Sequence, residues 1–200
     1  MLRPVPESRL GSRSMLRHAA CLMLAVAMLA APGLPAAAAP AAVDSNVPSG
    51  KVTGLPLPRY ASLKTDRVNL REGPSKDHRT AWVFQRAGLP VEIVAEFETW
   101  RRIRDSEGTE GWVLHSLLSG RRTALVMPWA KAGAEPLALY DRADERGDVV
   151  ARLQTNVIAS VKNCQNGWCR LAIAQPGSGE IAGFIREDRL WGVYPNEKVD

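Results

Sequence analysis

Val91-Glu-Ile-Val-Ala-Glu-Phe-Glu-Thr-Trp100-Arg-Arg-Ile103, followed by Gly111-Trp112-Val113 and Leu117-Leu118, has a second, degraded copy further along the chain. That copy reads Ala159-Ser-Val-Lys-Asn-Cys164-Gln-Asn-Gly-Trp168-Cys169-Arg-Leu171, then Gly183-Phe184-Ile185 and Leu190. Each is a β-run, a tight turn, a Trp-x-x-[Ile/Leu] strand and a Gly-aromatic-β-branched strand. Two copies of one such unit imply two tandem all-β domains.

Around the first copy, Arg59–Lys64 and Arg67–Arg71 alternate polar and apolar residues as half-buried strands do. Glu72–Asp77 is a turn-rich loop, and Thr80–Gln85 is a further apolar segment. His115–Leu118 suits a single 3₁₀ turn, and Arg121–Val126 is expected to close the first sheet. In the second copy, Asn166-Gly167 is the favoured pair for a two-residue type I′ hairpin loop, where both residues need φ > 0. That loop sets Gln165 opposite Trp168 and Cys164 opposite Cys169, with Cα atoms about 4.5 Å apart. This spacing lies within disulfide reach. A metal dithiolate would need two more ligands, and His78 and His115 both lie outside this unit. Aligning the tryptophans puts Glu96 and Arg101 at the two cysteine positions, where a cross-strand ion pair is expected.

Residues 1–39 read as a cleaved signal peptide. Arg3, Arg9, Arg13 and Arg17 precede the apolar run Ala19–Ala31, and an Ala-rich stretch with several Ala-x-Ala sites follows. At about thirteen residues the run falls short of the ~20 needed to span a bilayer. No stable membrane insertion is therefore expected after cleavage, and the location is periplasmic or secreted. The segment carries four Arg and one Glu, which leaves 22 basic and 20 acidic residues downstream. A net charge of +2 gives no reason to expect nucleic-acid binding. Residues 40–58, rich in Ala, Pro, Ser and Gly, read as a flexible linker. The first domain is placed at 59–127 and the second at 128–198.

Val68-Asn-Leu-Arg71-Glu-Gly-Pro74, Trp100-Arg-Arg-Ile103 and Gly111-Trp-Val113 resemble bacterial SH3-like (SH3b) domains. The run from Gly54 to Val126 is similar to secreted tandem SH3-domain proteins of alphaproteobacteria. The resemblance implies two tandem SH3-like small β-barrels outside the cytoplasm. SH3b modules elsewhere attach enzymes to cell wall or recognise peptides. Ala138-Leu-Tyr-Asp141 also matches the opening strand of eukaryotic SH3 domains. Arg142, Arg186 and Arg189 stand where that pattern has Tyr, Pro and Tyr, so of its aromatic groove only Tyr140 and Trp168 remain here.

Strand alternation sets Trp100, Arg102 and Arg104 on one face, opposite Ile103. With Ile103 inward, this face should look outward as a Trp flanked by arginines, suited to carbohydrate or an anionic peptide. The candidate ligand-binding residues are therefore Trp100, Arg102, Arg104, Trp168 and Tyr140. A Cys–His hydrolase needs a thiolate beside an imidazole, whereas Cys164 and Cys169 are accounted for by each other. No phosphate loop, Ser–His motif or metal-ligand cluster is present, so no cofactor, metal or catalytic residue is expected. The expected function is non-catalytic binding in the cell envelope, of peptidoglycan or envelope peptides. A periplasmic protein–protein adaptor is the alternative, and a cell-wall hydrolase accessory or an enzyme the more distant one.

Overall fold

The computed structural model describes residues 48–131, 133–175, 177 and 179–199. The expected signal peptide and residues 40–47 of the expected linker lie outside them. The first seven strands are β1 (Arg59–Leu63), β2 (Val68–Arg71), β3 (Thr80–Phe84), β4 (Pro90–Phe97), β5 (Trp100–Arg104), β6 (Glu110–Leu114) and β7 (Leu118–Ser119). The next seven are β8 (Thr123–Val126), β9 (Leu137–Tyr140), β10 (Val149–Leu153), β11 (Ile158–Gln165), β12 (Trp168–Gln175), β13 (Gly179–Arg186) and β14 (Leu190–Trp191). They form two seven-stranded antiparallel sheets, ordered β3-β2-β6-β5-β4-β1-β7 and β10-β9-β13-β12-β11-β8-β14. Each sheet closes over its own core. Leu63, Val68, Leu70, Val91, Ile93, Ile103 and Val113 fill the first. Val126, Leu139, Val161, Leu171, Ile185 and Leu190 fill the second. The expected single 3₁₀ turn is present at His115–Leu117.

The repeat holds at the level of hydrogen-bond register. Phe97 pairs with Trp100 and Glu96 with Arg101; Gln165 pairs with Trp168 and Cys164 with Cys169. Both hairpins carry a register shift at matching places, between Ile93 and Ala95 and between Val161 and Asn163. An extra residue at that point sharpens the local twist and helps an open sheet curl. Asn166 and Gly167 have φ of 53° and 77°, as the type I′ loop demands. The repeated glycine also has a steric cause. A Cβ on Gly111 would lie 2.6 Å from Leu70 Cγ, and one on Gly183 would lie 2.7 Å from Leu139 Cγ.

Cys164 and Cys169 form a disulfide with Cα atoms 4.1 Å apart, inside the second core. Replacing both with Ala is expected to cost about 2 kcal/mol, the loop-entropy value for so short a ring. The shift in urea midpoint between single-chain samples with and without the bond measures it. At the matching site of the first barrel, the Glu96 carboxylate lies 3.5 Å from Arg101 Nε, and its side chain is fully covered. The cover is the segment expected to be flexible. Residues 48–58 instead fold back on themselves, with Gly50 N–H donating to Leu55 O and Leu57 N–H to Pro48 O. Glu96 holds that segment by accepting from Val52 N–H, Thr53 N–H, Thr53 Oγ1 and Arg59 Nη2 at 2.6–3.0 Å. Ala, Pro, Ser and Gly composition reports weak hydrophobic drive, but a buried carboxylate with four donors orders the chain without it. The second barrel receives a terminal segment at the equivalent place, where Cys164 N–H donates to Val199 O.

One strand changes sheet relative to the sequence reading. Thr123–Val126 does not close the first sheet; it pairs with β11 and β14 in the second. Only Gly120–Arg122 separate β7 from β8, and the junction is packed. Tyr60 meets Trp191 edge-on at 5.3 Å and Tyr194 in a tilted stack at 4.6 Å. Tyr194 Oη donates to Glu92 Oε1 at 2.8 Å, while Arg104 Nε donates to Glu92 Oε2 at 2.8 Å. Burial, then the Glu92 carboxylate, pushes both the Tyr60 and Tyr194 hydroxyls well above the ordinary range, so both stay protonated. Arg122 pairs with Glu197 at 2.6 Å and donates to Gly192 O at 2.9 Å.

Candidate ligand-binding surface

The second barrel carries a partly exposed aromatic cluster at the repeat tryptophan. Trp168 stands on β12, held by the Asn166-Gly167 turn on one side and by the covalently bridged Cys169 on the other. Tyr140, at the end of β9, meets it edge-to-face with ring centroids 6.0 Å apart and planes at 78°. The Arg186 guanidinium sits over the indole, 5.8 Å from its centroid. Phe184 pairs with Tyr140 across β13 and β9 and completes the row.

Trp168 forms a ridge between two shallow depressions. One, of about 330 Å³, is lined by Asn163, Gln165, Asn166 and Phe184. The other, of about 430 Å³, is lined by Asp144, Glu145 and Arg146 on the loop between β9 and β10 and by Arg186 at the end of β13. An aromatic ridge with amides on one side and charges of both signs on the other can stack on a sugar ring or an apolar side chain. The same polar groups can hydrogen-bond hydroxyls or peptide groups. The indole supplies contact area, and the polar flanks fix orientation.

The first barrel does not repeat this surface. Trp100 lies on the expected face but is only 7% exposed, so it is not a displayed contact. Its register partners are Phe97 and Leu114, whereas those of Trp168 are Gln165 and Arg186. Arg104, also expected outward, is committed to Glu92 at the barrel junction. Arg102 is exposed and pairs with Glu110 at 2.7 Å. Arg71 takes the register position of Tyr140 and spends its guanidinium on Lys76 O and His78 O within its own loop. Of the five residues nominated from sequence, the structure brings Trp168 and Tyr140 together, buries Trp100, and holds Arg102 and Arg104 in ion pairs with Glu110 and Glu92. Sequence reasoning missed Arg186, Phe184 and the amides of Asn163 and Gln165. Reading the cross-strand partners of Trp168 would have found Gln165 and Arg186; Asn163 and Phe184 pair with Arg170, two residues further along the strand. His78 and His115 are both exposed, and both cysteines of this region are in the disulfide.

A family model described as bacterial SH3 domain matches residues 64–120 and again 133–192. No curated protein matches. Among solved structures, NlpC2 from Trichomonas vaginalis is 14% identical with a TM-score of 0.29, covering 67% of this chain and 48% of that one. NlpC1 from the same organism is 15% identical with a TM-score of 0.29, covering 66% of this chain and 45% of that one. An NlpC/P60 family protein from Bacillus cereus ATCC 10987 is 14% identical with a TM-score of 0.27, covering 66% and 55%. The chain thus spans about half the length of the solved structures it matches.

Proposed function

As the chain belongs to the bacterial SH3 domain family, in two tandem copies, we propose that it is a non-catalytic binding protein of the cell envelope. Its ligand is peptidoglycan, and its contact surface is the Trp168 ridge of the second barrel. The observation that carries this reading is the partly exposed Trp168, with Tyr140 edge-on at 6.0 Å, Arg186 over its ring and polar depressions on both sides. Glycan strands and their peptides offer both chemistries that this surface can use, flat apolar faces and dense hydrogen-bonding groups. The signal-like N-terminus would bring the chain to that polymer, and the oxidising envelope favours the disulfide beneath the ridge.

Cosedimentation with purified peptidoglycan tests the reading. The chain should pellet, and Trp168→Ala should weaken binding by about tenfold or more, the usual cost of truncating an aromatic anchor. Tyr140→Ala should weaken it less, because Tyr140 supports the ridge from its edge. Failure of the folded protein to pellet would overturn the peptidoglycan assignment. Selective retention of envelope proteins in a pull-down would then favour the adaptor reading.

A further inference from the structure

A cleft of different chemistry from the Trp168 ridge lies at the junction of the two barrels. It measures about 310 Å³ and opens between the β5–β6 hairpin, the edge strand β3 and the start of the second barrel. Its floor is apolar and already buried by the packing of both cores: Phe84, Val91 and Leu125 are each under 7% exposed. Trp82 forms a wall and is 59% exposed, the most exposed large apolar side chain among the described residues. Leaving that much indole in water is unfavourable, and sites at domain junctions with an apolar floor and a few convergent polar groups are a preferred location for ligands.

The polar groups on the lip include two carboxylates and one guanidinium. Asp105 and Glu107 line the same cleft. The turn that carries them is fixed, because Asp105 Oδ1 accepts from Glu107 N–H at 2.9 Å and from Thr109 N–H at 2.8 Å. The neighbouring carboxylates Glu92 and Glu110 are engaged by Arg104 and Arg102, and no ion pair among the described residues involves Asp105 or Glu107. Arg86, the cation on this lining, instead donates to Asn156 O at 3.0 Å across the junction. Carboxylates that line the same cleft as an exposed indole favour a cationic group, through the ring quadrupole and direct charge attraction together.

We propose that this cleft binds a primary ammonium carried on an aliphatic stem, as in a lysine-type side chain of a peptide. The stem lies along Phe84, Leu89 and Leu125, and the ammonium reaches Asp105 and Glu107 against Trp82. This site is separate from the Trp168 ridge, and nothing in it depends on the peptidoglycan reading. The barrel junction is tied by Tyr194, Glu92 and Arg104, so the cleft is formed before any ligand arrives.

The test is a titration of isotope-labelled protein with a short peptide containing one lysine between apolar residues, and with the same peptide acetylated at that lysine. The lysine peptide should shift the Trp82 indole N–H and the amides of residues 105–109, and the acetylated peptide should not. Glu107→Gln, at an exposed position, should weaken binding roughly threefold or more, and Trp82→Ala by roughly tenfold. Raising the salt concentration should weaken it further. Trp168→Ala should leave this binding unchanged, which separates its outcome from that of the wall-binding experiment. Equal shifts with the acetylated peptide, shifts outside the cleft, or none at all would overturn the proposal.

Discussion

Glu96→Ala is expected to cost about 3 kcal/mol and to free the segment that precedes the first barrel. Removing one member of a buried ion pair is among the more damaging single substitutions, because the remaining charge stays buried without its partner. Here the stranded groups are Arg101, whose side chain is 7% exposed, and Arg59, at 19%. Arg101 retains Glu98 O and Trp100 O as acceptors, which places the cost at the lower end of the usual range. Val52, Thr53 and the Thr53 hydroxyl lose their common acceptor at the same time. Urea titration gives the stability change. Hydrogen exchange at residues 50–57 should rise to the unprotected rate; protection that survives would show that the segment is held by something other than Glu96.

The same carboxylate gives a pH dependence with a definite sign. Burial alone would push its pKa up, but the hydrogen bonds from Thr53, Arg59 and Val52 outweigh burial and bring it down to about 2. A carboxylate with a depressed folded-state pKa contributes stability that is complete above its ordinary value near 4.5, and that is lost as the pH falls through about 2. Wild-type protein should therefore lose its advantage over Glu96→Gln between pH 4.5 and 2. A difference in melting temperature that stays constant across that window would remove Glu96 as its source.

Gly183→Ala is the second large effect, at about 2–3 kcal/mol. The added methyl would meet Leu139 Cγ and Tyr140 O at 2.7 Å and Val150 Cγ2 at 2.9 Å. Two of these belong to β9, so relief requires β9 to move away from β13, and β9 carries Tyr140 into the aromatic ridge. Gly183→Ala should accordingly weaken peptidoglycan binding as well as lower the urea midpoint. Gly111→Ala meets Leu70 and Arg71 O in the same way, but it lies far from the ridge. It should lower stability and leave binding intact. Equal binding by both variants would separate the β9 position from recognition.

What could be read from the sequence was local. The Asn166-Gly167 turn fixes its own dihedrals, and from it the Cys164–Cys169 pairing follows by counting along two strands. The Glu96–Arg101 pair follows from the same register. What could not be read depends on partners distant in the chain. Thr123–Val126 has the pattern of a closing strand, but the strands it pairs with begin at Ile158 and Leu190. Arg104 alternates outward correctly and is then captured by a Glu92 that Tyr194 also binds, more than a hundred residues from Glu92. Trp100 and Trp168 occupy one position in the repeat, and alternation places both on the outer face. Trp100 is buried there and Trp168 only partly so, a difference that period alone does not reveal.

The three-residue joint at Gly120–Arg122 has a consequence for how the two sites could be used at once. A flexible linker lets paired modules find almost any spacing on a polymer, at the entropic cost of a search. Here Tyr60 is locked against Trp191 and Tyr194, and Arg122 within the joint is itself clamped to Glu197. The Trp168 ridge and the junction cleft are thus held at one fixed separation. Simultaneous engagement is then a measurement of the target: a polymer whose repeat matches that separation gains avidity, and one whose repeat does not match gains none.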